Sequence, residues 1–299
     1  MNTGDEVPFS LKSVKDGLAL RIRAPITDAV LSGIGENLQY ITEVSGWWKT
    51  EVGELGALSR LPALERLFVT NRTASSIAPI NKLHNLVVLD VTSNLPFDID
   101  LEHWPKLQEL RFDWNGEFIH LEAASELGAL TVHSWKERDL QLLAAFPKLE
   151  VLELYGGSLR TLLGVERSPL LRRVILSGMR SLADFEGIAG LKHLSFLKIE
   201  SCRQLNRVNV FAALPQLRGL RLDNVGTIPT LEPLRASTVL EELFFIESTN
   251  IEDGVTSIVN DMHLSDFGFQ NRKHYDFTYD HVRGVQAFIA QRDGSTKAR

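Results

Sequence analysis

The sequence predicts an α/β solenoid in which short parallel strands, one per repeat, stack side by side. Three observations predict it. A segment whose apolar residues are spaced by three, three and two appears ten times along the 299 residues. Its copies lie 20 to 24 residues apart, and the segments between them keep a spacing of three. Self-similarity at such a period marks a repeat architecture, in which each unit buries its apolar face only against its neighbours.

The clearest copy is Phe146, Leu149, Leu152, Leu154. Downstream come Leu171, Val174, Leu176; Leu191, Leu194, Leu197, Ile199; Leu214, Leu217, Leu220, Leu222; Leu240, Leu243, Phe245; and Leu264, Phe267, Phe269. Upstream are Leu61, Leu64, Leu67, Val69; Leu83, Leu86, Leu89, Val91; Trp104, Leu107, Leu110, Phe112; and the weaker Leu127, Leu130, Val132. The last two apolar positions alternate as in a strand buried on one face, and the earlier spacing of three suits a tight turn. The return segments, such as Leu182, Phe185, Ile188 and Leu205, Val208, Phe211, also step by three, which suits short 3₁₀-like or irregular backbone.

With a period near 22, residues 38 to 272 resemble the leucine-rich-repeat family, in its short cytoplasmic and bacterial types. The resemblance implies a horseshoe with a parallel concave β-sheet and short or irregular convex segments. Five residues after the third apolar position the family places asparagine or cysteine, and Asn94, Asn115 and Cys202 stand there. An inward amide would satisfy backbone groups that stacking buries. Arg72, Trp135, Gly157, Met179, Val225 and Ser248 depart from that pattern, which predicts less regular turns in the middle.

Solenoid ends need caps. Phe9, Leu11, Lys15-Asp16-Gly17, Leu18, Leu20 and Ile22 predict a hairpin with an Asp-Gly turn. A helix over 27–37 follows from Pro25 and Asp28, and Leu38, Ile41 and Val44 form a degenerate first repeat. Val282, Val285, Phe288 and Ile289 predict a closing helix over 279–292. The expected organisation is one domain over 1–299: an N-terminal cap (1–37), repeats (38–272), and a C-terminal cap and tail (273–299).

Composition narrows the function. A net charge of −6 and a pI near 5.8 disfavour sequence-independent binding to nucleic acid or an anionic membrane. One cysteine makes no intrachain disulfide, and the first twenty residues lack a basic and then apolar signal, so a cytoplasmic protein is expected. Cys202 falls on the inward repeat position and reads as structural. The eight histidines lack metal-binding spacings, and Asp98, Asp100, Glu102 and His103 read as a solvated loop. Gly33-Ile-Gly35 has no third glycine to cradle phosphate. No catalytic residue, metal or cofactor is expected.

Function is expected on the sheet, whose outward side chains stand in parallel columns. The register exposes positions one before, one after, three after and four after the third apolar residue. From Val44 to Phe267 that rule exposes the aromatics Trp47, Trp48, Phe68, Trp114 and Tyr155, toward the N-terminal half. It also collects ten acidic residues (Glu43, Asp90, Glu109, Asp113, Glu153, Glu200, Asp223, Glu242, Glu247, Asp266) against five basic ones (Arg66, Arg111, Arg173, Lys198, Arg221). The expectation is a non-catalytic scaffold that holds a basic protein on Trp47, Trp48, Phe68, Asp90, Arg111, Asp113, Trp114, His133, Glu153 and Tyr155. The alternatives are an immunity protein or inhibitor neutralising a toxin or nuclease, an adaptor recruiting substrate for a separate enzyme, and a sugar or peptide receptor using Trp47, Trp48 and Trp114.

Overall fold

The computed structural model describes residues 9–22, 28–48, 52–71, 78–93, 97–261 and 264–284. The chain forms two compact units, Met1–Ser134 with Ala145–Leu149, and Trp135–Ala144 with Glu150–Arg299.

The first unit opens with the expected hairpin. Strands β1 (Phe9–Val14) and β2 (Gly17–Ile22) pair antiparallel, Val14 opposite Gly17, so Lys15 and Asp16 make the turn. Gly17 starts β2 because a Cβ there would stand 2.6 Å from the Tyr40 carbonyl. An α-helix (Asp28–Ile34) and a 3₁₀ turn (Gly35–Tyr40) then lead into β3 (Ile41–Trp48), parallel to β2. Four more strands follow in parallel: β4 (Arg66–Asn71), β5 (Val88–Ser93), β6 (Glu109–Asp113) and β7 (Ala129–Trp135), whose last residue belongs to the second unit. Their partners stay in step: Val44, Leu67, Leu89, Leu110 and Leu130 form one fully buried column. Each such leucine contributes about 1.5–3 kcal/mol of burial.

The spacing of three before each strand is a backbone turn. Leu64 N–H donates to the Leu61 carbonyl (3.2 Å), Leu86 to Leu83 (3.2 Å) and Leu107 to Trp104 (3.1 Å), so each apolar pair brackets one turn of chain. The return segments are 3₁₀ turns, as at Ala78–Lys82 and Leu121–Ala124. Behind them Ile99–Asp100 and Phe118–Ile119 pair as a second, two-residue ladder.

The second unit repeats this plan with β8 (Val151–Gly157), β9 (Arg173–Ser177), β10 (Phe196–Glu200), β11 (Gly219–Asp223), β12 (Glu242–Phe245) and β13 (Asp266–Phe269), all parallel. Leu152, Val174, Leu197, Leu220, Leu243 and Phe267 are its buried column. Most returns are again 3₁₀, but Asn209–Ala212 and Thr256–Asp261 are short α-helices. The closing helix begins at 279, where Thr278 Oγ1 accepts from His281 N–H at 3.3 Å, and Val282 is buried beneath it. Val285, Phe288 and Ile289 lie outside the described residues.

The middle turns are more regular than the broken asparagine pattern implied. Trp135, Met179, Cys202 and Val225 fill the inward position with no exposure, and the strand registers of the second unit run without a shift. What makes this possible is the residue just before. At the fourth place after the third apolar residue the backbone is left-handed in Ser134 (φ 63°), Gly156 (70°), Gly178 (71°), Ser201 (54°), Asn224 (54°) and Glu247 (57°). After Ser134, Gly178, Ser201 and Asn224 that left-handed residue turns the next side chain inward, whereas after Gly156 the strand runs on to an exposed Gly157. In the last of these repeats the inward residue comes one place later: Ser248 is exposed and Thr249 is buried.

Candidate protein-binding face

Strand alternation turns every second side chain of β3–β7 away from the core. Phe68 stands beside Arg66, whose guanidinium carbon lies 6.0 Å from its ring centre, and Arg66 reaches Glu43 at 3.6 Å. On the neighbouring strands Asp90 faces Arg111 at 3.8 Å, and Asp113 faces His133 Nδ1 at 3.9 Å. Burial lifts the Asp90 carboxyl above its ordinary range, against the pull of Arg111 and His133. The unit therefore presents Phe68, Asp90, Arg111, Asp113 and His133 on one side of one sheet. From β3 to β7 this face carries four acidic residues (Glu43, Asp90, Glu109, Asp113) against two arginines, and Arg21 of β2, in register with Ser45, lies on the same side.

Trp114 is a correction. The rule placed it outward, yet it is only 7% exposed, and its ring meets Phe118 edge-on at 5.5 Å and Phe112 at 6.3 Å. Its repeat has no left-handed residue at that place, so strand alternation continues and Trp114 shares the inward side with Leu110 and Phe112. The same parity leaves Asn115, expected inward, exposed. Of Trp47 and Trp48 the structure describes the backbone at the end of β3; their side chains lie outside the described residues.

The second unit presents Glu153 and Tyr155, joined by a hydrogen bond from the phenol to the Glu153 carboxylate (3.1 Å), with Arg173 Nε 3.3 Å from the same carboxylate. Further along, Lys198 lies 2.6 Å from Glu200 and 3.4 Å from Asp223. Burial lowers its ammonium pKa, but the two carboxylates outweigh it and the net direction is upward. Six acidic residues (Glu153, Glu200, Asp223, Glu242, Glu247, Asp266) face three basic ones (Arg173, Lys198, Arg221).

Aromatics are not confined to the N-terminal half. Phe196 and Phe244, half-buried on the outward side, escaped the sequence reading although they occupy the positions one before and one after a third apolar residue. Phe196 lies over Gly219, where a Cβ would come within 2.9 Å of the ring, and Phe244 over Gly268, within 2.5 Å. Arg173 stacks on Phe196 at 4.4 Å, and Arg221 stands 5.9 Å from Phe196 and 4.7 Å from Phe244. Glycines on the neighbouring strands thus let the rings lie flat as platforms for guanidinium groups.

Elsewhere, Cys202 has no exposure, its thiol donates to the Glu200 carbonyl (3.3 Å), and burial pushes its pKa up to about 11. That is the reverse of an activated nucleophile. In the first unit His120 Nδ1 lies 2.8 Å from Asp100, and the ligand atoms of Asp100, Glu102 and His120 fall within 4.8 Å of one another. The loop read as solvated is thus joined by a histidine of the next repeat. No helix among the described residues is long and apolar enough to cross a membrane.

No protein-family model matches the chain, and no curated protein matches it. Solved structures do. A leucine-rich-repeat protein of Leptospira interrogans is 14% identical, with 85% of this chain and 77% of that chain covered and a TM-score of 0.54. The Toll–Spatzle complex of Drosophila matches at 12% identity, covering 90% of this chain and 48% of that chain, with a TM-score of 0.55. A TLR13–ssRNA13 complex matches at 15% identity, 83% and 35% coverage and a TM-score of 0.50. The chain spans about half or less of those last two. At such identities the likeness establishes the leucine-rich-repeat fold alone.

Proposed function

Starting from a chain with the leucine-rich-repeat fold, we propose that it is a non-catalytic scaffold that holds a basic protein partner on the outward face of its strands. The observation that carries the reading is the composition of that face. Over β3–β7 and again over β8–β13 acidic side chains outnumber basic ones two to one, and aromatic rings stand among them: Phe68 in the first stretch, Tyr155, Phe196 and Phe244 in the second. Aromatic and arginine side chains are the usual anchors of protein interfaces, and a net acidic field speeds the approach of a basic partner. Such a field opposes the phosphates of nucleic acid, although one structural neighbour is in complex with ssRNA13. The neighbour in complex with Spatzle supports the use of this fold to hold a protein. The buried Cys202 thiol, pushed toward protonation, supports the non-catalytic part.

Reversing two exposed face charges, Glu109→Lys and Asp266→Lys, tests the proposal. A partner captured by the wild-type chain at low salt, released at high salt and captured at least about tenfold less well by the double variant agrees with it. Equal capture by both proteins refutes the acidic-face reading.

A further inference from the structure

We propose that Arg221 is a receptor for a carboxylate, supplied by an aspartate or glutamate side chain of the bound protein. This inference rests on the scaffold reading and names the chemistry of one point on the same face.

From β3 to β13, every other basic residue that the strands turn outward is held by a carboxylate of this chain. Arg66 has Glu43 (3.6 Å), Arg111 has Asp90 (3.8 Å), Arg173 has Glu153 (3.3 Å), and Lys198 has both Glu200 (2.6 Å) and Asp223 (3.4 Å). Arg221 has none among the described residues. Its nearest acidic neighbour on the same strand, Asp223, is engaged by Lys198, which sits directly across from Arg221 in the register. Its contacts are the two rings, Phe244 at 4.7 Å and Phe196 at 5.9 Å, and its Nε is buried without a hydrogen-bond partner.

A guanidinium flanked by rings has surrendered much of its freedom before any ligand arrives. It is also partly shielded from water, so a charge-assisted hydrogen bond to it gains more than one in bulk solvent. Asp223 adds a second unfilled valence. It is 7% exposed, and its Oδ1 has no donor. The two groups stand two residues apart on one strand face, about 6.6 Å along it. Both unpaired atoms are shut off from solvent, so a ligand's carboxylate meets Arg221 at the outer nitrogens of its guanidinium.

The face selects among anions. Glu200, Glu242 and Asp266 nearby carry single negative charges, and their field opposes a dianion such as phosphate more than a carboxylate. A chain-terminal carboxylate is commonly captured in a nest of backbone N–H groups, and those of β11 are committed to pairing with β10 and β12. A side-chain carboxylate meeting a side-chain guanidinium remains. Net acidity would steer a basic partner to the sheet, and Arg221 would fix its register by admitting one acidic residue.

The test needs no partner. Acetate is titrated into the ¹⁵N-labelled chain while the Arg221 Nε–H signal is followed, with sodium chloride and inorganic phosphate at matched ionic strength as the other arms. The signal is assigned by its loss in Arg221→Gln, and circular dichroism verifies that this variant is folded. Expected is a saturable shift with acetate, larger than with chloride or phosphate, and about halved or lost in Phe244→Ala, which removes the platform. An acetate response no larger than chloride overturns the receptor, and a larger response to phosphate overturns the carboxylate assignment. Either failure leaves the charge-reversal test of the whole face standing.

Discussion

The hydroxyl of Thr249 donates to the Leu222 carbonyl at 2.7 Å and accepts from the Val225 N–H at 3.2 Å, so one buried side chain bridges its own repeat to the one before. It takes the part that an inward asparagine would play, satisfying backbone groups that stacking seals from water. Replacing Thr249 with valine keeps the volume and removes both bonds. The expected loss is about 1–3 kcal/mol for buried groups left unpaired, measured by urea unfolding. A change within the error of that measurement would contradict the bridge.

Cys202 gives a prediction in pH. Its thiol is held near 11 in the folded chain, against 9.0 for an ordinary cysteine, first because burial disfavours the thiolate. An acid whose pKa is raised by folding stays protonated in the native state while the unfolded chain ionises. Cys202 therefore lowers stability as pH rises above about 9, and Cys202→Ala flattens that alkaline slope. A disulfide reagent at pH 8 reacts with the unfolded chain and leaves the native one untouched.

The repeat was legible because it is written in leucine spacing, a signal that ten copies reinforce. The hairpin was legible for a local reason, Asp16-Gly17 between alternating apolar residues. The left-handed residue at the fourth place after the third apolar one was not, because Ser134, Ser201 and Glu247 carry no mark of that backbone; only Gly156, Gly178 and Asn224 are types that favour it. That omission misplaced Trp114, whose repeat lacks the turn, and Asn115 after it. Phe196 and Phe244 lay within reach of the rule that found Phe68. His120 was beyond it, because its pairing with Asp100 joins residues of successive repeats through a ladder of only two residues, Ile99–Asp100 beside Phe118–Ile119.

Glu247 occupies that left-handed position with φ 57° and an exposed side chain. An ordinary residue held there costs about 1–2 kcal/mol, and glycine's greater freedom in the unfolded chain returns about 0.5–1 of that. Glu247→Gly is therefore expected to stabilise the chain by about 0.5–1 kcal/mol, and Glu247→Ala to leave it nearly unchanged. The comparison separates the backbone from the lost charge, because both variants remove the carboxylate and only one relieves φ. A glycine variant no more stable than the alanine one would refute the strain.

His120 and Asp100 titrate as partners across two repeats. The hydrogen bond that His120 Nδ1–H donates to Asp100 raises the imidazole above its ordinary 6.5, with the charges of Asp100, Glu102 and Glu122 adding to it. Slight burial pushes Asp100 up, but the hydrogen bonds from His120 and the Glu102 N–H prevail and leave it below 3.8. The pair is formed when the histidine is protonated and the aspartate ionised. Its stabilisation is therefore complete below the unfolded histidine value of 6.5 and is lost as pH rises through the higher folded one; on the acid side it is complete above 3.8 and is lost as pH falls through the lower folded aspartate value. An NMR titration of His120 should show its raised midpoint falling toward 6.5 in Asp100→Asn, and falling less far in wild type on adding salt, since the direct hydrogen bond survives screening that the longer-range charges do not. A midpoint unmoved by Asp100→Asn would place the cause of the shift elsewhere.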